Sequence, residues 1–480
     1  MASTWTERQQ QVEREDLVMF INACLSCTGQ REFYDEAWGQ KLSLDFLHDY
    51  ILGNYRLLYA RTLAAGINHF NQGQIILKLL ATGKQTLPEH RQEEGTLIAS
   101  TLNALPPQRA WKVLEQIRKR RINNRRARAI ARDYIAQRHQ RLDFDAVKYR
   151  SKVSGIATHN HLKLPGEVGS FLFRDWPQQF ETELFEKFRK AYYSQDAIYA
   201  LPFTVAEGLA AKHQIPRDRF LARIEAQMTQ AEKVRMQQST ECDRNSKLTV
   251  DLKHTPITKL ALYCLSLPIK DRQARHTELT QALQQSAQAA LHRAPLRLGK
   301  VAAVLDCSYS SSGSNEKRRR PLGVALAIHY LLQAASNQYQ AFWTLPISDP
   351  LLVQPRGQTD LATPLLDALA THPDVVVILS DGWENDPPNG AAEVLRVFRR
   401  RLDPSVSILH CNPVFNADDF SVRNLSSAVP TVGLRDAEDL PTVLGFAQFA
   451  DGKSSLGDLE QYLKVRVQQF LSKFDPNHGS

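Results

Sequence analysis

The apolar positions along the chain follow two patterns, and the change between them falls just after Pro295. From about residue 13 to residue 293, apolar residues recur at helical spacing, as at Leu44, Leu47 and Ile51. Prolines and glycines interrupt this part often, and β-branched runs are scarce. The pattern predicts many helices of roughly ten to twenty residues, stacked as degenerate HEAT-like or armadillo-like pairs.

After Pro295 short apolar runs alternate with helical stretches. Such alternation predicts a doubly wound, mostly parallel sheet, in which ligands lie outside the carboxyl ends of the strands. We therefore predict a helical domain over residues 1–294 and an α/β domain over residues 295–480. The predicted strands are Val301–Leu305, Phe342–Leu345, Val375–Leu379 and Val406–Leu409, and the predicted helices are Leu322–Ala335, Leu361–Ala370, Ala391–Leu402 and Leu456–Phe474.

Composition narrows the functional classes. The net charge is +9 and the pI about 9.2, a balance that favours polyanionic partners such as nucleic acid. No apolar run approaches the roughly 18 residues of a membrane span, and the first residues carry no signal-peptide core. Six cysteines in 480 residues do not make a disulfide framework. We expect a cytoplasmic protein without a membrane partner.

Two short motifs invite a metal interpretation that the sequence does not favour. Cys24 and Cys27 form a lone C-x-x-C, but no second ligand pair stands nearby, so two small apolar residues on a helix are the favoured reading. His159 and His161 also lack a third ligand. A histidine pair in a basic loop more often forms hydrogen bonds or contacts phosphate.

A stronger metal signal follows the first predicted strand. The sequence reads D-x-S-x-S there, and alternation in an extended turn lets Asp306, Ser308 and Ser310 face the same way. Two further loops at carboxyl ends of strands or adjoining helix starts add a hydroxyl at Thr359 and a carboxylate at Asp381. Carboxylates with hydroxyls are hard oxygen ligands, so we predict one divalent cation, most suitably Mg²⁺.

D-x-S-x-S, then G-x-T-D, then an apolar strand ending in S-D-G resembles the von Willebrand factor A domain with its metal-ion-dependent adhesion site. The resemblance implies a metal with an open coordination position for an acidic group of a partner; the alternative is an A-type fold with a degenerate site. A polar, basic insertion, Ser311–Pro321, follows the first motif. It is either a disordered, solvated loop or a guide for an anionic partner.

Positive charge is concentrated between residues 111 and 152, where fourteen Lys and Arg face four Asp and Glu. Such density costs self-repulsion that a polyanion relieves, and arginine both stacks on bases and forks onto phosphate. A solvated basic face is the alternative. Helical spacing places these arginines on shared sides: Arg118 with Arg121 and Arg125, and Arg125 with Arg128 and Arg132.

The segment A-x-K-Y-R-x-K at 146–152, a short gap and then N-H-L-K at 160–163 resemble the Ro ribonucleoprotein family, whose helical part is the TROVE domain. Residues 126–134, 256–262 and 374–384 add local likenesses. The resemblance implies a ring of HEAT-like repeats closed by the A-type domain. It also implies binding of small structured non-coding RNA on a basic outer face, and of single-stranded ends of misfolded RNA in a central hole. By matching position, Lys148, Lys152 and His161 fall where the family contacts RNA, and Tyr149 lies between the two lysines.

No phosphate loop, H-E-x-x-H or G-x-S-x-G motif is present, so we expect a protein without enzymatic activity. A metal-dependent hydrolase would also need a general base and a substrate clamp, and neither is visible in the sequence. Two functions remain. The first is Ro-like RNA binding. The alternative is a protein-interaction scaffold that uses the metal to bind an acidic partner residue, without an RNA role.

Overall fold

A computed structural model describes residues 2–229, 232–233, 236, 252, 254–451 and 454–474. Packing divides the chain into two compact units. The first combines residues 1–68 with residues 251–468, and the second combines residues 69–250 with residues 469–480. The predicted division between residues 294 and 295 marks the change from helices to alternating strands and helices. As a domain boundary it stays a prediction.

Helices make up the part of the chain before residue 294 that the structure describes, as the apolar periodicity predicts. The α-helices of this part are Ala2–Ser26, Ala37–Asn54, Arg56–Arg61, His69–Ala81, Arg91–Ala104, Pro107–Lys119, Arg125–Gln137, Leu142–Lys148, Arg150–His159, Val168–Phe173, Glu183–Tyr193, Phe203–Lys212, Arg217–Ile224, Ile257–Ser266, Ile269–Ala274 and His276–Arg293. Those of the later part are Arg320–Ala335, Ala362–Ala370, Gly390–Val397, Leu440–Ala450 and Leu456–Ser472.

The Pro107–Lys119 helix shows why these segments fold as they do. Proline occupies its first position, where a missing N–H costs nothing, and Lys119 stands in its last turn beside the negative end of the helix dipole. Its buried face repeats at helical spacing and includes Trp111 and Ile117. The next helix begins at a cap, because the Asn124 side chain accepts a hydrogen bond from the Ala127 N–H at 2.9 Å.

The first unit contains the strands β1 Leu298–Leu305, β2 Ser336–Trp343, β3 Val375–Leu379, β4 Ser407–Asn412, β5 Phe415–Asn416, β6 Ser421–Val422 and β7 Thr431–Gly433. Five of them form a parallel sheet in the order β2-β1-β3-β4-β7, and β5 and β6 form a separate antiparallel pair. The predicted α/β class is confirmed. A buried core of apolar residues from three strands and the flanking helices lies on one face and includes Val304, Ile378, Ile408, Leu365 and Leu395.

The structure corrects one predicted strand. The sequence pattern predicts a strand at Phe342–Leu345, whereas β2 runs over Ser336–Trp343 and begins directly after a helix. β2 lies at the edge of the sheet, and several of its Ser, Asn and Gln residues are exposed. An edge strand needs no continuous apolar run, so its polar first half gives no strand signal.

Helices from both ends of the predicted helical part pack on this sheet within the first unit. Asn22, on the first helix, donates to the Thr431 carbonyl at 3.2 Å and accepts from the Gly433 N–H at 3.1 Å. The Thr258 hydroxyl donates to Glu438 at 2.6 Å. These bonds satisfy polar groups at the β7 end of the sheet that burial would otherwise leave unpaired. In the described part of the chain, no helix is long and apolar enough to cross a membrane.

The first helix approaches β7 closely at Gly433, so a substitution there tests this packing. A Cβ at Gly433 would lie 2.5 Å from the Asn22 carbonyl oxygen, whereas a Cβ at Gly53 meets no atom within 4 Å. We expect Gly433→Ala to lower the free energy of unfolding by about 1–3 kcal/mol through overpacking. Gly53→Ala, on an exposed stretch of helix, should be neutral or slightly stabilising. Urea denaturation measures both, and equal effects would show that the first helix does not press on β7.

Candidate functional site

The predicted metal ligands meet at the carboxyl edge of the sheet. Asp306 directly follows β1, and Asp381 follows β3 after Ser380. Because β1 and β3 are neighbouring parallel strands, their ends open at the same edge. Both carboxylates are 5% exposed. The fold thus places two nearly buried carboxylates at the position where ligands bind in sheets of this class.

Hydrogen bonds hold the two carboxylates in place. The Ser308 N–H donates to Asp306 Oδ1 at 2.8 Å, and the Ser380 hydroxyl donates to Asp306 Oδ2 at 3.0 Å. The Ser308 and Ser310 hydroxyl oxygens lie 3.3 Å apart. Burial raises the pKa of Asp381, and the nearby Ser310 side chain opposes that rise. The structure therefore brings four of the five predicted ligands into one cluster.

The fifth predicted ligand, Thr359, is buried in a loop that is tied to the same edge. The Tyr309 N–H, next to Ser310, donates to the Gly357 carbonyl at 3.1 Å. On its other side, the Thr359 N–H donates to the Asn385 side chain at 2.8 Å. The loop thus connects to the segments after both β1 and β3, although no direct bond joins Thr359 to either carboxylate.

The electrostatics of the cluster suit a cation. Burial raises the pKa of Asp306 despite its hydrogen bonds to hydroxyl and N–H groups. Burial, and then the negative charge of Asp306, raise the pKa of Asp381 to about 7, and the Arg423 guanidinium opposes that rise only in part. Two carboxylates with hydroxyls form a hard oxygen donor set, which fits Mg²⁺. A divalent cation there would convert the repulsion between the carboxylates into attraction.

The basic insertion at 311–321 has a defined conformation beside this cluster. Lys317 forms a nearly buried ion pair with Glu32, and the Ser314 hydroxyl donates to the Arg31 carbonyl at 2.7 Å. Burial raises the pKa of Glu32, and the Lys317 ammonium opposes that rise. The insertion is therefore not a disordered, solvated loop, and one of its positive charges is neutralised inside the first unit.

Exposed aromatic side chains that no sequence motif predicts lie near the predicted ligands. We call them the aromatic cluster: Tyr34, Tyr309 and Trp383. Burial raises the pKa of Tyr34, and the nearby Ser310 side chain opposes that rise, so the phenol lies close to the predicted ligands. The Tyr34 ring is 5.3 Å from that of Trp383, and Phe33 is 5.9 Å from Tyr309. Tyr34, Tyr309 and Trp383 are all exposed. No local sequence signal links Tyr34 to a motif so far along the chain.

The second unit contains a basic cleft of about 920 Å³ between the Arg125–Gln137 helix, the turn after it and the segment that follows His159. Among its lining residues, six are basic or imidazole side chains, all of them exposed, and we define the basic cleft by them: Arg125, Arg128, Arg132, His139, His161 and Lys163. Four of these are predicted RNA contacts. His139 and Lys163 were not predicted, because their neighbours in sequence give no periodic signal.

Ion pairs separate the arginines of this helix into two groups. Arg126 contacts Glu94 at 2.5 Å, and Arg138 forms two bonds to buried Asp145 at 2.7 and 3.0 Å. These arginines satisfy buried carboxylates and stabilise the helix packing. The cleft arginines lie on another side of the helix. Arg128 donates to Asn123 at 2.7 Å, and Arg132 forms an ion pair with Asp133 at 3.3 Å that is exposed on both sides, so both arginines stay at the surface.

His161 occupies a backbone position that histidine rarely adopts. Its φ is +51°, and the Leu162 N–H donates to the Ala157 carbonyl at 2.9 Å, as in a helix C-cap that normally carries glycine. A non-glycine residue costs free energy there. The imidazole at the mouth of the cleft is thus held at a small cost to stability, which marks it as a candidate contact.

The remaining predicted RNA residues lie outside the cleft. Lys148 is 3.6 Å from Glu232, and Lys152 is 4.0 Å from Glu115. Tyr149 lies between their helices and is partly buried. Arg118 lies against Gly155, and Arg121 is exposed after the end of its helix. The structure thus brings these residues to the packing of the 107–119, 142–148 and 150–159 helices, with nearby carboxylates for both lysines.

The disfavoured metal motifs gain no support. Cys24 and Cys27 are both fully buried, and burial raises the pKa of Cys27 to about 12. A thiol in that state is a poor metal ligand. Within the described ranges, no group of three or more His, Cys, Asp or Glu side chains is arranged to hold a metal ion.

The fold has a solved counterpart. It is similar to the crystal structure of the Deinococcus radiodurans Ro (RSR) protein, with a TM-score of 0.54 and 12% sequence identity, over 92% of this chain and 100% of that one. No protein-family model and no curated protein matches the sequence. At this identity the likeness shows the fold. The predicted fold class is confirmed, and this fold agrees with the resemblance to Ro proteins that the sequence motifs carry.

The paired carboxylates give a direct prediction. In a chelating buffer at mildly alkaline pH, Asp381→Asn should raise the midpoint of thermal unfolding, because it removes one of two buried like charges and keeps an oxygen for the Trp383 N–H. We expect a gain on the order of 1–2 kcal/mol in unfolding free energy. Millimolar Mg²⁺ should stabilise the unaltered protein and have less effect on the variant.

The control is Asp367→Asn, which removes an exposed carboxylate on the Ala362–Ala370 helix. It should leave the midpoint of thermal unfolding unchanged, both in the chelating buffer and in millimolar Mg²⁺. The account of the cluster is wrong if Asp381→Asn is destabilising in chelator and neither Mg²⁺ nor Mn²⁺ shifts the midpoint of the unaltered protein.

Proposed function

We propose that this chain is a Ro-like RNA-binding protein that holds structured RNA in the basic cleft of its helical part. The observation that carries the proposal is the cleft itself. It gathers three helix arginines, two histidines and Lys163 around one concave surface, while neighbouring arginines of the same helix are used in ion pairs. A concave surface with several exposed arginines suits the phosphate backbone of a folded RNA.

The chemistry of the cleft favours backbone contacts over base readout. Arg125, Arg128 and Arg132 lie along one side of a helix, so their guanidinium groups follow one line, as successive phosphates do. His161 and Lys163 approach from the opposite wall. Such an arrangement recognises the shape and charge of RNA, as expected of a protein that binds many folded RNAs.

The lysines that match the Ro-like motif have a different part in the proposal. Lys148 and Lys152 lie near Glu232 and Glu115, so an RNA that contacts them must compete with these carboxylates. They extend the basic surface and contribute less to affinity than the cleft arginines do. Entry of single-stranded RNA ends into a central hole stays a prediction of the resemblance.

The RNA proposal predicts a specific change in salt dependence. Arg128→Ala combined with Arg132→Ala should weaken binding of a hairpin RNA about tenfold or more at moderate salt, and lower the slope of log K against log salt by about 2. Filter binding over a salt series measures both quantities. Arg219→Ala with Lys270→Ala removes the same charge from exposed positions outside the cleft and should change neither by much.

His161→Gly adds a control for folding. Because glycine accepts the left-handed φ of this position, the variant should be at least as stable as the unaltered protein while its RNA affinity falls. The proposal fails if the protein does not bind RNA at low salt, or if the cleft variants bind as the control pair does.

The aromatic cluster near the predicted metal ligands favours a second function, which is binding of a protein partner. We propose that, with a divalent cation held by Asp306, Ser308, Ser310, Thr359 and Asp381, this edge binds an acidic side chain of a protein partner. Exposed Tyr34, Tyr309 and Trp383 surround the position. Tyrosine and tryptophan are enriched at protein interfaces, where they supply contact area at low entropic cost.

Water relaxation of bound Mn²⁺ tests this second function without a known partner. A peptide with one glutamate should displace metal-bound water and lower the relaxation enhancement, and its glutamine counterpart should not. Asp306→Ala should abolish Mn²⁺ binding and leave hairpin RNA affinity unchanged. If glutamate and glutamine peptides behave alike, or if RNA binding also requires the cation, the two functions are not separate as proposed.

A further inference from the structure

The opposite edge of the sheet contains a feature that neither RNA nor metal binding uses. A cavity of about 1100 Å³ lies between the Ala362–Ala370 and Gly390–Val397 helices, where β3 and β4 begin. Its lining includes apolar side chains, which we call the apolar groove: Leu366, Leu369, Val394, Val397, Phe398 and Leu402. Asp381 of the candidate metal site follows the other end of β3.

Two of these side chains are unusually exposed for their type. Leu402 is 71% exposed and Leu366 is 55% exposed, and both line the same cavity. Single exposed leucines are ordinary, but two that share a concave apolar surface mark a binding site. The size of the cavity is near the upper end of small-molecule sites, about 300–1,000 Å³.

The local backbone explains why Leu402 is presented in this way. The helix from Gly390 continues into a π-helical turn at Phe398–Leu402 before the chain enters β4. A π-helical turn shifts the register of the residues after it, and such turns are frequent at functional sites. In this turn Phe398 packs against the edge of the core, whereas Leu402 lies at the rim of the groove.

The charged groups at the rim decide which head group the groove accepts. Its three carboxylates are already satisfied: Asp374 accepts from the Lys300 N–H at 2.7 Å, Glu393 is held by Arg396 at 2.5 Å, and Asp403 accepts from Ser405. Arg401 is exposed and lines the cavity. Across the described ranges, the Arg401 guanidinium forms no hydrogen bond and no ion pair within 4 Å, and its charge acts on Glu393 only from a longer distance.

We propose that the apolar groove binds an amphiphile with an extended apolar chain and one carboxylate head, a long-chain fatty acid in chemical class. The chain would cover Leu366, Leu402 and the floor of the groove, and the carboxylate would fork onto the Arg401 guanidinium. Burial of the exposed leucines supplies the affinity, and the charge-assisted pair supplies the selectivity for an anionic head. This proposal does not depend on RNA or metal binding.

Displacement of dansyl-labelled undecanoic acid from the full-length protein tests the proposal. Dodecanoate should compete about tenfold better than dodecanol, and dodecylamine should be the weakest of the three, because only the carboxylate pairs with Arg401. All competitors are kept below their micelle concentrations. Ala370→Trp, which fills the groove from an exposed lining position, should abolish binding of the labelled acid.

Two neighbouring arginines provide a matched pair. Arg401→Gln should reduce the advantage of dodecanoate over dodecanol to less than about threefold, whereas Arg400→Gln, an exposed arginine that does not line the cavity, should leave it unchanged. Leu402→Asp, at a largely exposed position that folding hardly uses, should weaken all chain-bearing competitors. Equal competition by dodecanoate and dodecanol, or equal effects of the two arginine variants, would overturn the proposal.

Discussion

The first unit is organised around two like charges held side by side. Asp306 and Asp381 are placed together by neighbouring parallel strands, and both are almost completely buried. Hydrogen bonds from Ser308 and Ser380 reduce the cost of that burial without removing the repulsion. A divalent cation would compensate this pair, and the oxygen donors, the three loops and the aromatic cluster all lie at the same edge.

In the helical part, some positive charges form ion pairs with buried carboxylates and others stay exposed. Buried carboxylates take up some of the arginines, as Asp145 does for Arg138 and Glu94 for Arg126, and these pairs fix how the helices pack. Arg125, Arg128 and Arg132 stay exposed in the basic cleft. Counting lysines and arginines in the sequence cannot distinguish the arginines that stabilise the packing from those that stay at the surface.

The sequence predicted most reliably what depends on neighbours along the chain. β3 was predicted at its observed bounds because its apolar run is continuous, and the D-x-S-x-S motif predicted the place of Asp306 relative to β1. What it missed depends on contacts between distant segments. Tyr34 lies close to Ser310 in a segment that distant contacts hold, among them the ion pair between Lys317 and Glu32, and neither of these two residues carries a local signal for that contact.

The central claim is that RNA occupies the basic cleft, and photo-crosslinking followed by mass spectrometry of the joined peptides tests it most directly. A hairpin RNA with photoreactive uridines should crosslink mainly to peptides that contain residues 125–139 and 160–165, with weaker crosslinks at residues 148–152. Crosslinks confined to the metal edge or to the apolar groove, with the cleft peptides unmodified, would contradict the account.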